Sequence, residues 1–379
     1  MEQHAGLSLW SAAWAGPGSY RLTAGTIVIL EGGEVRSRPG RTTGTMRQDA
    51  ALLSLHDTPG NPVPPGAVVM AVGTADDCTL RAARWAATTR TCKGTVCLLQ
   101  GRAEFIEKYY ETIRELRARG FAVVAFDWRG QGASDRRVDD PHKGHVAAFD
   151  DYRRDLLAIR DAVLVPFMPD PHVCLAHSMG GCVALTGALD GWLPFRRIVT
   201  VAPMLSIRMV RSPAFASVAT RLLQRLGLGS RYVPGGGPVS IATKPYPNNR
   251  LTRDPARYAR NAAAALAVGA GAVGDPTIAW TAEAFRAVAR LRDPRVPPRI
   301  ATPTLILAAG SDPVCGTPAA ERFAARLKAG HILVLPDARH EILSERDAIR
   351  ADFWAAFDAF VPGSTVRETK TERERLATA

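Results

Sequence analysis

Six short apolar runs punctuate the chain: Gly94–Leu99, Phe121–Phe126, Val173–Ala176, Ile198–Pro203, Thr304–Ala309 and His331–Pro336. Runs of this length with little polar alternation predict strands covered on both faces, as in a parallel sheet. Between them the pattern turns helical. Phe105, Tyr109, Ile113 and Leu116 share one face of a helix predicted from Glu104 to Arg119, and Cys182 to Leu189 is a second helix-forming run. Strands that alternate with helices predict one α/β core with a mostly parallel central sheet flanked by helices.

The alternation breaks after Ile198–Pro203, the sixth-strand candidate. Residues 204–300 hold three helix-like segments, Pro213 to Gly227, Asp254 to Val268 and Ala279 to Leu291, interrupted by the loop Pro234-Gly235-Gly236-Gly237-Pro238. This predicts a helical cap inserted after strand six, with the core formed by residues 51–203 and 301–361. Residues 1–50 are rich in glycine and polar turns and read as a poorly structured extension, in which Met46 is a candidate start. Residues 362–379 are charged, carry few apolar side chains, and read as a disordered tail.

Chemistry concentrates where strands end. Ala176-His177-Ser178-Met179-Gly180 sets a serine between an apolar run and a helix, with small residues two before and two after, the layout of a nucleophile elbow. Alone, such a pattern is often only a turn or a helix cap. Two further residues give it weight. Asp312 follows the run Thr304–Ala309, and His340 follows His331–Pro336, so serine, acid and base occur in that order, each after an apolar strand. A serine hydroxyl needs a neutral imidazole to take its proton, and the imidazolium then needs a carboxylate to orient and stabilise it.

The remaining histidines fit the base less well: His4 and His56 precede the confident strands, His142 and His145 precede the serine, and His172 and His331 sit in strands. His177 adjoins Ser178, but neighbours on so tight a turn point apart, which assigns it packing or hydrogen bonding. An oxyanion would be held by the backbone N–H of Met179 and by that of Arg102, at the end of the Gly94–Leu99 strand. The glycine-containing turn Asp127 to Ser134 reads as a buttress of the site, with Arg129 as a structural donor.

These pieces, together with Gly101 to Tyr109, Gly144-His145-Val146, Phe149 to Tyr152, Gly310 to Val314 and Ala338 to Glu341, resemble the monoacylglycerol lipase and lysophospholipase group of α/β-hydrolases, a serine-aminopeptidase-like family. The resemblance spans about residues 55 to 360. Two positions depart from the family pattern: Gln100-Gly101 stands where many members carry His-Gly, and Ala176 stands for the first elbow glycine. The resemblance implies an α/β-hydrolase fold and cleavage of lipid carboxylic esters, lysophospholipids or monoacylglycerols, through an acyl-enzyme on Ser178. His340 is then the base and Asp312 its orienting acid, with no metal or cofactor. Phe215, Val218 and Leu222, at i, i+3 and i+7 on the first cap helix, are the candidates to line the acyl site. A small-ester hydrolase or aminopeptidase on the same fold, or a non-catalytic hydrolase-like binding protein, remains an alternative.

Charge changes this picture little. The formal net charge is +12, but 48 basic residues include only Lys93, Lys108, Lys143, Lys244, Lys328 and Lys370 as lysines, so the excess is arginine scattered along the chain. It reads as compositional bias and not as a nucleic-acid surface, since no nucleic-acid-binding motif accompanies it. Transient contact with a membrane surface is compatible with it. The six cysteines show no C-x-x-C spacing and fit reduced thiols, and no apolar run approaches the ~20 residues of a membrane span. With no basic region and apolar run at the amino end, the expected location is cytoplasmic, at most peripheral to a membrane, with no obligate protein partner evident.

Overall fold

The apolar runs stand side by side in one sheet. The computed structural model describes residues 27–31, 34–38, 54–210 and 212–361. In chain order the strands and α-helices are β1 (Ile27–Glu31), β2 (Glu34–Arg38), β3 (Val68–Gly73), β4 (Thr79–Trp85), β5 (Thr95–Leu99), α1 (Tyr110–Ala118), β6 (Ala122–Phe126), α2 (Asp150–Ile159), α3 (Val165–Phe167), β7 (His172–His177), α4 (Met179–Asp190), β8 (Arg197–Val201), α5 (Pro213–Leu223), α6 (Pro255–Val268), α7 (Ile278–Leu291), β9 (Thr304–Ala309), α8 (Thr317–Ala324), β10 (Gly330–Leu335) and α9 (Asp347–Phe360).

The sheet order is β10-β9-β8-β7-β5-β6-β4-β3-β1-β2. The strands from β5 through β10 pair in parallel, whereas β4 joins β6, and β3 joins β4, antiparallel. In β5 the side chains divide between two cores. Val96 and Leu98 join Ile113, Leu116, Phe353 and Phe357 on the α1/α9 side, while Cys97 and Leu99 join Leu156, Cys182 and Leu185 on the α2/α4 side. Burial on both faces is why β5 to β9 read as continuous apolar runs, whereas β10, at the edge of the sheet, leaves His331 and Leu333 exposed.

Counted from β3, β8 is the sixth strand in chain order, and the cap helices follow it. Arg81 and Arg84 disguise β4, yet Arg81 is fully buried and ion-paired. The predicted helix from Glu104 begins later, with a tight turn at Ile106–Tyr109 leading into α1. The residues before it are spent on a loop in which Ala103 takes φ 60°. Phe105, Tyr109, Ile113 and Leu116 are nonetheless all buried.

In the cap, α5 and α7 pack together, and α7 also packs on α4. Trp280, Ala284, Val288 and Leu291 of α7 belong to the same apolar cluster as α4. The expectation of a poorly structured extension over residues 1–50 needs correction at β1 and β2. These form a hairpin whose first strand pairs with β3, Ile27 opposite Val72 and Leu30 opposite Val69. The pattern concealed it because Glu31 and Glu34 flank a two-residue connection and β2 is mostly polar. The rest of that extension, Met46 and residues 362–379 lie outside the described residues.

Deleting residues 1–45 removes both hairpin strands and bares the hydrogen-bonding edge of β3. A bare edge recruits other edges. The truncated chain is expected to run as larger species in size-exclusion chromatography while keeping hydrolytic activity per folded molecule, because the site lies at the far ends of β5, β7, β9 and β10.

Candidate active site

The turn from β7 into α4 is built by crowding. Ser178 sits between them at φ 50°, ψ −112°, a left-handed conformation that a side-chain-bearing residue rarely adopts. Its N–H donates to the Val201 carbonyl, and its own carbonyl accepts from Cys182 and Met204. Gly180 passes so close to the end of β5 that a Cβ there would meet the Leu99 carbonyl at 2.3 Å and the Gln100 carbonyl at 2.7 Å. Only glycine permits this approach. Ala176, which stands for the other small residue of the elbow, is fully buried in β7 and its methyl group is accommodated.

Loops after β9 and β10 bring the other two groups to the serine. His340 Nε2 lies 2.9 Å from Ser178 Oγ, and His340 Nδ1 lies 2.8 Å from Asp312 Oδ2. The second carboxylate oxygen, Oδ1, accepts the N–H groups of Val314 and Cys315 at 2.7 and 2.9 Å. All three side chains are buried, which keeps their hydrogen bonds in a low dielectric. The Cys315 thiol adjoins the acid and base, its ligating atom and theirs within 4.8 Å of one another. Burial and then the charge of Asp312 push that thiol well above its usual range, so it stays protonated.

The two candidate oxyanion donors flank the elbow in the chain order of the structure, Met179 opening α4 and Arg102 following β5. Among the described residues neither the Met179 nor the Arg102 N–H has an acceptor. The Arg102 loop is braced by the turn after β6. Gln131 donates to the carbonyls of Gly101 and Glu104 at 2.8 and 2.9 Å and accepts from the Ala103 N–H, and Trp128 Nε1 donates to the Gln100 carbonyl at 2.9 Å. The Gln100 departure therefore leaves the loop held through its backbone. Asp127 anchors the brace. Its carboxylate accepts from Arg81, Ile106 and Ala133, and Arg81 also grips Glu107 with two bonds of 2.7 Å. Arg129 is a structural donor, tied to Asp76 and Asp155. The Arg102 side chain leaves the site, donating to the Gly274 carbonyl and lying over Trp280 at the base of the cap.

The three cap residues are placed differently from the expectation. Phe215, Val218 and Leu222 are 72%, 61% and 56% exposed and face solvent, so they do not wall an enclosed acyl site. Their spacing specifies a common face but not its direction. Helix α5 turns other residues, Thr220 among them, inward. Residues the sequence reading did not assign to the site are Gln131 and Glu104, the latter accepting hydrogen bonds from Gly101, Tyr109, Lys108 and His177. Both lie inside the motifs that carry the resemblance, but their roles depend on partners distant in the chain.

The profile of the family described as serine aminopeptidase, S33, matches residues 90–347. The chain belongs to this family. The lysophospholipase L2 of Escherichia coli K12 is 34% identical over 295 residues, covering 73% of this chain and 82% of that protein. A probable lysophospholipase L2 of Haemophilus influenzae is 31% identical over 271 residues, covering 70% and 82%. In three dimensions the chain is similar to the monoacylglycerol lipase of Paleococcus ferrophilus, with a TM-score of 0.58, 21% identity, and coverage of 75% and 98%. That likeness confirms the α/β-hydrolase fold. The matched span of the S33 family opens just before β5 and closes in the first turn of α9, so it takes in the elbow, both loops that face it and the cap.

Replacing Gly180 with alanine tests the elbow. The new methyl group collides with two backbone carbonyls that cannot swing aside, so the variant is expected to lose about 1–3 kcal/mol of stability. Turnover should fall with it as the Met179 and Arg102 N–H groups separate. Thermal unfolding and steady-state kinetics on the same preparation check both.

Proposed function

We propose that the protein hydrolyses carboxylic esters of lipids, lysophospholipids or monoacylglycerols, through an acyl-enzyme on Ser178. The observation that carries the chemistry is the His340 ring bridging Ser178 and Asp312 at 2.9 and 2.8 Å. Ser178 Oγ attacks the ester carbonyl carbon as its proton passes to His340 Nε2. The carbonyl oxygen, now anionic, takes the Met179 and Arg102 N–H groups. Collapse breaks the bond to the leaving alcohol, which receives the proton from His340. Water then repeats the sequence on the acyl-enzyme and regenerates Ser178. Asp312 holds the His340 Nδ1–H throughout and offsets the charge of the imidazolium.

A lipid substrate is supported by the relatives named as lysophospholipases and by the outer face of α5. Phe215, Val218 and Leu222 of α5 and Leu226 of the turn that follows it are exposed apolar side chains, with Arg221 and Arg225 among them in the chain. Arg221, Gln224, Arg225 and Arg286 line an open groove. Exposed apolar side chains interspersed with guanidinium groups match the boundary between acyl chains and phosphate headgroups. We assign this face to transient docking on anionic bilayers, from which substrate is drawn. No helix among the described residues is long and apolar enough to cross a membrane.

Two measurements test the reading. Ser178→Ala is expected to cost about a million-fold in kcat, with folding unchanged, and to abolish labelling by a fluorophosphonate probe. Appreciable turnover in that variant refutes the mechanism. Replacing both Phe215 and Leu222 by serine removes two apolar side chains, each worth roughly 1.5–3 kcal/mol when buried. The double variant is expected to lose sedimentation with phosphatidylglycerol vesicles and hydrolysis of vesicle-borne lysophospholipid, while hydrolysis of a soluble acetyl ester persists. Equal losses on both substrates would remove the docking role from α5.

A further inference from the structure

Behind the catalytic serine lies a closed set of charges that the reaction as described does not use. Glu104, Lys108, Tyr109, His177 and Glu341 are each 9% exposed or less. They surround a cavity of about 10 Å³, room for a single water, together with Thr112, Leu343 and Ser344. Lys108 Nζ bridges Glu104 Oε1 at 2.6 Å and Glu341 Oε1 at 2.5 Å. Glu104 Oε2 accepts the Gly101 N–H, the Tyr109 hydroxyl at 2.6 Å and His177 Nδ1 at 3.0 Å. The other nitrogen of the ring, His177 Nε2, lies 3.2 Å from the backbone carbonyl of His340.

Both partners of the His177 ring are pure acceptors. A carboxylate oxygen and a carbonyl oxygen can only receive hydrogen bonds, and a neutral imidazole has one N–H to give. The geometry is satisfied only when both ring nitrogens carry protons. Charge balance points the same way. Two buried carboxylates stand against one ammonium, and the imbalance closes if the imidazole is cationic; an unbalanced buried charge is costly. Burial by itself would push His177 down, but the charge of Glu104 and the hydrogen bond to it outweigh burial and raise the imidazole above its ordinary range. Glu104, opposed by burial and favoured by His177 and Lys108, is held well below the carboxylate range.

We propose that His177 is a buried imidazolium that ties the loop carrying His340 to the loop carrying the Arg102 N–H, and so acts as a positioning residue for the reaction at Ser178. One N–H fixes the backbone of the base. The other fixes Glu104, whose same oxygen holds Gly101 next to the oxyanion donor. Gly101 must lack a side chain for this, since a Cβ there would lie 2.8 Å from Glu104 Oε2 and 2.9 Å from His177 Nδ1. The proposal rests on the hydrolase reading above.

The sign of the pH dependence follows. A histidine raised in the folded state contributes stability that is complete below its unfolded value and disappears as pH climbs through its folded one. Losing the proton leaves one acceptor facing a bare nitrogen, which frees one of the two loops. Activity therefore has an alkaline limb, above the ordinary histidine range, that belongs to His177 and not to His340. The neighbouring Lys108, also raised despite burial because Glu104 and Glu341 face it, and Tyr109, raised by burial and Glu104, hold their protons beyond that limb.

The test uses the full chain. Nitrogen-15 histidine spectra of the wild-type protein at neutral pH are expected to show one histidine, lost in His177→Gln, with both ring nitrogens protonated. His177→Gln is expected to lower kcat by about 10²-fold, the cost of a misplaced catalytic group, with KM little changed and without the alkaline limb. Glu104→Gln should keep an acceptor but remove the charge, moving the limb to lower pH. A neutral His177 in the spectra, or an alkaline limb unmoved in both variants, overturns the proposal. Fluorophosphonate labelling of wild-type Ser178 separates this outcome from failure of the hydrolase reading, which would show as an unlabelled serine.

Discussion

The rest of the site depends on how near the first turn of α4 comes to the end of β5. Gly180 against the Leu99 and Gln100 carbonyls sets that separation, and Ser178 accepts a left-handed backbone as its consequence. A strained residue persists only where its surroundings over-determine it. Here the Ser178 N–H and C=O are both engaged, by Val201 on one side and by Cys182 and Met204 on the other. From this one approach follow the projection of Oγ, the orientation of the Met179 N–H and the proximity of the Arg102 loop. Asp312 and His340 then need only arrive on loops from the neighbouring ends of the sheet.

That arrangement explains what could be read from the chain. Ser178 was legible because the elbow imposes small residues at fixed offsets, and Asp312 and His340 because each directly follows an uninterrupted apolar strand. Strand β4 was hidden by Arg81, whose charge is neutralised by Asp127 and Glu107 far along the sequence. The outward direction of Phe215, Val218 and Leu222 was hidden for a different reason. Periodicity reports that residues share a face, whereas the side on which α7 lies against α5 is a tertiary fact. The link from His177 to Glu104 and His340 spans 73 and 163 positions, and no local pattern encodes it.

The basic composition also looks different in three dimensions. Of the arginines that give the net charge of +12, Arg81, Arg117, Arg129 and Arg350 are internal, bonded to carboxylates or backbone carbonyls. They are fasteners between segments: Arg129 connects Asp76 to α2 through Asp155, and Arg350 connects α9 to α1 through Glu115. Breaking such a buried pair strands its partner and costs about 3–5 kcal/mol. The charge that reaches solvent near the exposed apolar side chains of α5 is a small local subset.

Helix α7 belongs to the inserted segment by sequence and to the central core by packing. Trp280 donates to the Tyr152 hydroxyl at 3.0 Å, and Ala284, Val288 and Leu291 share the cluster that contains α4. The insertion is therefore divided mechanically. Its last helix is rooted in the globule, while α5 carries most of its apolar surface outside. Evolution can rebuild α5 and the loops around it at little risk to folding, because few core contacts are forfeited. Changes along the inner side of α7 would be felt at the nucleophile through α4. Sequence change is thus tolerated along one helix of the insertion and resisted along the other.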